Sequence, residues 1–290
     1  MTDPSLQDGG VPDGDLARAA ASGDRSALDA LLRRYQRWIY NLALRMLWDA
    51  HDAEDATQEI LLKVATRLGS YRGESTLRTW AWRIAANHLL SRRRGRTEEV
   101  IHGFDCYGAA LAATADTELN AAGPEDHLLV QEAAIGCTVG LLLCLDREQR
   151  LAFVLGEIFG ATDAEGSDVM GTSRDAFRQR LSRARRQLYA FLQDRCGLAD
   201  PRNPCQCERK TRGFVKAGIV DPRRLVFAAE HVARVEQVAP ARADALGRAA
   251  RAGFARLYRS QPLQEGPDLA ARLLTLLDDP APSNIPIRSR

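Results

Sequence analysis

The sequence predicts an all-α protein made of several small helical units, and three observations carry that prediction. Apolar residues recur at three- and four-residue steps through most of the chain, and the breaks between them hold capping residues, glycine or proline. Charge is sorted into blocks, with no Lys or Arg from Thr97 to Asp146 and arginine-rich segments on either side. At 290 residues there is room for two or three domains, each with its own core.

Taken in order, residues 1–14 are rich in Asp, Gly and Pro and read as a disordered leader. From Asp15 the pattern is helical, with Leu28, Leu31, Leu32, Tyr35, Trp38, Ile39, Leu42 and Met46 forming an apolar stripe. In "HDAEDATQEILLKVATRLGSY" Asp52 can cap a second helix, whose acids Glu54 and Asp55 suit the positive end of the helix dipole. Ala56, Ile60, Val64 and Leu68 fall on its buried face, while Asp55, Gln58, Glu59, Leu62 and Lys63 share another, mostly polar face. "YRGES" is a turn, Ser75 or Thr76 caps a third helix running to Gly95, and residues 15–96 so make a compact helical domain.

Residues 97–123 are Ala- and Thr-rich, acidic and weakly periodic, which predicts a flexible acidic linker. A second helical domain spans residues 124–195, with Leu141 to Leu145 buried and Asp146 capping the helix that carries Leu151, Val154, Leu155 and Ile158. Residues 196–224 form a Cys-containing basic turn, too polar for a core. Residues 225–290 read as a helical extension with amphipathic stretches at 225–238, 243–258 and 268–277 and a loose tail from Asp279. There is no internal repeat.

No apolar run approaches the roughly 20 residues that a bilayer span needs, and the first residues lack the basic start and apolar middle of a signal peptide. The expected location is cytoplasmic, without a membrane partner. Six cysteines, three of them dispersed at Cys106, Cys137 and Cys144, do not form a secreted disulfide framework.

Two basic stretches carry the chemistry. In "STLRTWAWRIAANHLLSRRRGR" Arg83 and Asn87 share a helix face, whereas Trp80 and Trp82 lie about 160° apart, so one can be buried while the other is accessible. Aromatic faces stack on unpaired bases and arginines neutralise phosphates, a combination that grips a single strand. The alternative is that both tryptophans are core and the arginines solubilise. In "GTSRDAFRQRLSRARRQLYAFL" an apolar stripe of Ala176, Leu181 or Phe177, Ala184, Leu188 and Phe191 leaves Arg174, Arg178, Arg185 and Arg186 outside. With the capped "TDAEGSDVMG" before it, the unit is helix, glycine turn, basic helix, a helix-turn-helix whose second helix fits a major groove. A helical hairpin with a charged face is the alternative.

The stretch "DAEDATQEILLKVATRLGSYRGESTLRTWAWRIAANHLLSRRR" resembles region 2 of the sigma-70 family, in its extracytoplasmic-function group, and "RLAFVLGEIFGATDAEGSDVMGTSRDAFRQRLSRARRQL" resembles region 4. The resemblance implies a protein that binds bacterial core RNA polymerase and promoter DNA, directs promoter recognition and melting, and starts transcription. It places Asp55, Gln58 and Glu59 on the polymerase; Trp80, Trp82, Arg83, Asn87 and His88 on the minus-ten element; and Arg174, Arg178, Gln179, Arg180 and Arg183 on the minus-thirty-five element. Two departures are notable. Gly166 stands where the family has a large aliphatic residue, and since a mid-helix glycine costs about 1 kcal/mol relative to alanine, region 4 is expected to be less stable or differently angled. Ala56 and Thr57 stand where larger apolar residues are usual, which predicts moderate polymerase affinity.

No cofactor is implied, and zinc is the one metal that the cysteines admit. Cys196, Cys205 and Cys207, with His231 as a distant fourth, supply the donor types of a zinc site, but C-x8-C-x-C is not a standard ribbon spacing. A redox-responsive thiol pair and ordinary reduced cysteines stay open. Regulation is expected either from a separate anti-sigma protein or in cis from the extension, docked on the sigma domains or on polymerase, and the acidic linker is expected to fold back over the basic domains. A stand-alone helix-turn-helix regulator is the competing function, and it has no need of Asp55, Gln58 and Glu59. An enzyme is not indicated: the sequence holds no phosphate-binding glycine loop, no HExxH and no paired nucleophile and base.

Overall fold

The structure, a computed structural model, describes residues 11–117, 123–228, 253–259 and 261–278. Thirteen α-helices are named here among those residues, and the β structure among them is an isolated bridge between Cys196 and Cys205.

The first unit packs α1 (Asp13–Ala21), α2 (Arg25–Leu47), α3 (Ala50–Arg67) and α4 (Leu77–Ser91) around one core. Its first helix starts inside the expected leader. Asp13 accepts hydrogen bonds from the Tyr35 hydroxyl at 2.6 Å and from Arg34, ties that hold the chain's start to α2. The α3 cap is Asp49, which accepts from the Asp52 amide at 2.9 Å. Asp52 is therefore displaced from the expected capping role into the first turn, where it pairs with Arg92 at 2.7 Å. Thr76, not Ser75, caps α4. Ala56, Thr57, Ile60, Val64 and Leu68 are all buried. The small Ala56 and Thr57 thus serve the close approach of α3 to the core, away from the polar face.

The expected linker is largely helical, with α5 (Arg96–Val100) and α6 (Phe104–Ala113). Weak periodicity missed them because their fixing contacts are polar or few. Buried Glu98 pairs with Arg147 at 2.5 Å and Arg150 at 2.8 Å, tying α5 to the second unit. Next comes α7 (Pro124–Gly140), which with the following turn makes Glu125–Cys144 long and apolar enough for a membrane span, contrary to the sequence reading. Most of that stretch is buried inside the fold, and a core helix satisfies the same composition.

The stretch that resembles region 4 comprises α8 (Arg147–Phe153), a π turn at Val154–Ile158, α9 (Asp163–Val169) and α10 (Arg174–Arg195). Asp146 caps α8 as expected, and Thr162 with Glu165 forms a capping box on α9. Gly171, at φ +59°, makes the left-handed turn between α9 and α10. The buried stripe of α10 is Phe177, Ala184, Leu188 and Leu192, which places Phe177 rather than Ala176 at its head. A Cβ at Gly166 would overlap the Phe177 ring. This glycine is what lets α9 close on α10.

The cysteine turn is not only turn: α11 (Cys207–Lys216) buries Lys210, Thr211 and Phe214 and packs on α7. Composition hid it, because its buried face mixes Phe214 with Lys210 and Thr211, polar residue types that read as surface. The extension's described remainder is α12 (Phe254–Arg259) and α13 (Leu269–Asp278). The rest of the helices expected at 225–238 and 243–258 lies outside the described residues, as do most of the leader and the tail.

Candidate nucleic-acid and polymerase interface

Asp55 and Glu59 are exposed and Gln58 is half-buried, so α3 presents a polar ridge on the side away from the core. Among the described residues its contacts are loose ones: Asp55 lies 3.9 Å from His51 and Glu59 lies 3.9 Å from His88. Nearby, Arg224 of the extension pairs with Glu54 at 2.9 Å, one step round the helix from Gln58.

The tryptophans of α4 divide as the helical step requires. Trp82 is 2% exposed and stacks on Trp38, with centroids 4.6 Å apart and planes 5° from parallel; the Arg78 guanidinium lies 4.5 Å from its ring centre. Trp80 is half-buried against Tyr71 at 5.6 Å, and Asn87 is exposed. His88 points inward. Its Nδ1 lies 2.6 Å from the Lys63 ammonium, and burial, with the charges of Lys63 and Arg92, lowers its pKa to about 4. The ring is therefore neutral at pH 7 and accepts from Lys63. In this conformation Trp82 and His88 belong to the core, while Trp80, Arg83 and Asn87 reach the surface.

Arg83 is held by region 4: it pairs with the Asp168 carboxylate, and its Nε donates to the Asp168 carbonyl at 3.0 Å. A cleft of about 750 Å³ between α4 and the helix-turn-helix is lined by Arg83 and Asn87 on one side and by Asp168, Gly171 and Arg174 on the other. On α10, Arg174, Arg178, Gln179 and Arg183 are exposed. Arg178 pairs with Asp163, and Arg180 is drawn to Glu148 at 2.6 Å and to the Thr172 hydroxyl at 3.0 Å. The acids that hold these arginines come from α8 and α9, and for Arg178 also from Asp175 of α10 at 3.1 Å. Among the described linker residues, Glu98 pairs with Arg147 and Arg150 of α8 and Asp116 pairs with Lys210 at 2.9 Å, rather than with the arginines of α4 or α10.

The missed feature is the path of the extension. Arg259 donates to the Glu157 carbonyl at 2.8 Å and its carboxylate at 2.6 Å, on region 4. The chain then crosses α2: Asn41 exchanges hydrogen bonds with the Gln264 backbone at 2.7 and 2.8 Å, Gln36 receives the Ala270 amide at 2.7 Å, and Arg33 pairs with Asp268 at 2.8 Å. Polar side chains of a surface helix gave no signal of such a partner. Among the described residues no three His, Cys, Asp or Glu side chains are gathered closely enough to hold a metal ion, and His231 lies outside them.

A helical unit with a polar ridge and an aromatic, arginine-bearing helix, followed by a helix-turn-helix, defines a two-region DNA-binding transcription protein. Residues 31–99 match Sigma-70 region 2, and residues 136–188 match Sigma-70, region 4. The RNA polymerase sigma-H factor of Pseudomonas aeruginosa is 32% identical over 62% of this chain and 94% of its own length. The ECF RNA polymerase sigma factor SigM of Mycobacterium tuberculosis is 32% identical over 62% of this chain and 84% of its own. A solved structure, CnrH in complex with the cytosolic domain of CnrY, shares 24% identity at a TM-score of 0.45, covering 62% of this chain and 96% of that one. The chain belongs to the sigma-70 family of RNA polymerase sigma factors, in the extracytoplasmic-function group, and carries a C-terminal extension beyond region 4.

Proposed function

We propose that the protein acts in the cytoplasm as a sigma factor, docking on bacterial core RNA polymerase through Asp55, Gln58 and Glu59 and reading promoter DNA with α4 and α10. One observation carries this reading over that of a stand-alone regulator: an exposed acidic ridge on α3, on the side away from the core, on the same chain as a helix-turn-helix with an exposed basic face. A duplex-binding repressor has no use for that ridge. On α4, Trp80, Arg83 and Asn87 meet the melted minus-ten strand first, with Trp82 and His88 setting the helix's position from beneath. On α10, Arg174, Arg178, Gln179 and Arg183 face the minus-thirty-five duplex, where arginines suit both phosphates and guanine edges. Arg180 joins them once it leaves Glu148.

The conformation described is closed: Asp168 and Asp163 of α9 hold Arg83 and Arg178, Glu148 of α8 holds Arg180, and the extension joins region 4 to α2. This favours regulation in cis by the extension over dependence on a separate anti-sigma protein. The test is binding of core polymerase by the intact chain and by the triple variant Asp55→Ala, Gln58→Ala, Glu59→Ala. The reading expects the triple variant to bind core polymerase at least about tenfold more weakly, corresponding to about 1.4 kcal/mol, with its thermal melting unchanged. Equal binding by both proteins would move the polymerase contact elsewhere.

A further inference from the structure

Exposed large apolar side chains are few among the described residues, and two of them, Val100 at 62% and Ile219 at 52% exposure, stand at the mouth of one cavity. Its volume is about 370 Å³, within the range of roughly 300–1,000 Å³ typical of small-molecule sites. The walls come from α5, α6, α7, α11 and the chain at Ile219, Val220 and Phe227, so the cavity lies where the linker helices meet the extension. No residue assigned above to polymerase or promoter DNA lines it.

Trp48, Tyr107, Phe214 and Phe227 give the cavity aromatic walls. Trp48 is the most informative of them. It follows α2 at φ 53°, and among the described residues it is the one residue other than glycine in the left-handed region. Glycine is the usual choice at that place after a helix, because a Cβ is disfavoured there. The indole is seated against Gly140, where a Cβ would lie 2.6 Å from the ring, and edge-on to Tyr107 with centroids 6.4 Å apart. Its neighbours on α7 and α6 thus fix the ring as part of the wall. Glu132 of α7, 4% exposed, fixes another part: its carboxylate accepts from the amides of Val226, Phe227 and Ala228 at 2.8, 2.8 and 2.6 Å and so pins the segment that carries Phe227. Those bonds engage both oxygens of Glu132. The one cation in the lining is Arg96, which is exposed and makes no ion pair among the described residues.

We propose that this cavity binds a small apolar acid: a molecule with an aromatic or medium-length alkyl body and one carboxylate or sulfonate head. The body lies among the aromatic rings, and the head meets Arg96 at the mouth. Burial of the body supplies most of the affinity. Arg96 supplies the preference for a negative head, and that preference is modest because the guanidinium is exposed. A bound molecule touches the linker helices, α7 and the start of the extension together, so occupancy stabilises their attachment to one another.

The experiment uses the full chain and titrates it with anilinonaphthalene sulfonate, an aromatic acid whose fluorescence rises in apolar surroundings, followed by displacement with decanoate or with decyltrimethylammonium. The expected result is one saturable probe site per chain, displacement by decanoate at a concentration at least about threefold lower than by the cation, and a higher melting temperature with decanoate bound. Arg96→Gln should remove the difference between the two competitors. Ala110→Trp places a large side chain on an exposed position of α6 that lines the cavity, and it should weaken probe binding by at least about tenfold. The comparison of anion with cation on the unaltered chain reads the proposal even where a variant fails to fold. No saturable probe binding, equal displacement by the cation, or full probe affinity in folded Ala110→Trp would each overturn it. Polymerase and DNA do not enter the test, so its outcome is separate from that of the polymerase-binding experiment.

Discussion

At the scale of single residues, two positions make the argument measurable. Gly166 was legible as an anomaly but not as a solution, since nothing in the sequence says that Phe177 of the next helix lies over it. Gly166→Ala is expected to lower stability by about 1–3 kcal/mol, because the added carbon must displace a fully buried ring; denaturant unfolding of the two proteins measures it. Helix propensity alone would make the same change stabilising, so the sign decides between the two accounts. His88 gives a pH dependence. Its pKa is about 4 when folded against an ordinary value of 6.5, so the unfolded chain takes up a proton first as the pH falls. The stability it contributes is complete above pH 6.5 and is lost progressively towards pH 4. The unfolding midpoint of the parent should fall more steeply between pH 7 and 4.5 than that of His88→Asn; parallel profiles would mean that the ring is already charged in the folded protein.

At the scale of elements, legibility followed the apolar pattern. The cores of α2 and α3 and the helix-turn-helix could be read because periodic leucines and alanines face inward there. The linker helices, α11 and the crossing of α2 could not, because Glu98, Lys210, Asn41 and Gln264 fix them through long-range polar bonds, and such residues read as solvated surface in sequence. The division of Trp80 from Trp82 followed from the helical step; which of the two is inside depended on Trp38, a partner on another helix. Magnitudes rank what holds the closed form. The Arg83 to Asp168 pair is 40% exposed or more on both sides, so it contributes no more than about 1 kcal/mol. The crossing segment combines several part-buried hydrogen bonds with the buried Leu269, Ala270, Leu273 and Leu274, and its total is larger. Asp168→Ala should therefore change promoter binding by the free chain less than about fivefold. A chain ending at Ala228, which lacks the crossing segment, should bind at least about tenfold more tightly. Gel shifts of the three proteins on one promoter fragment would show whether this order is reversed.

At the scale of the whole molecule, the net charge of +2 conceals a protein in which acids and arginines are matched to each other across its regions. Glu98 joins α5 to α8, Glu157 joins Arg185 of α10 to Arg259 of the extension, and Asp168 joins region 4 to α4. Each of these carboxylates sits where one region meets another. On the proposed reading, opening would exchange such contacts for phosphate and polymerase, and high salt weakens the exposed contacts more than the buried ones. The central claim is that these regions together direct transcription initiation. It is tested most directly by run-off transcription with bacterial core polymerase on the gene's own upstream DNA, comparing the intact chain, the chain ending at Ala228, and the double variant Trp80→Ala, Arg83→Ala. The account predicts a transcript from one start site, equal or greater output from the shortened chain, and near-complete loss in the double variant. No transcript from the intact or the shortened chain, or one that the double variant supports undiminished, would contradict it.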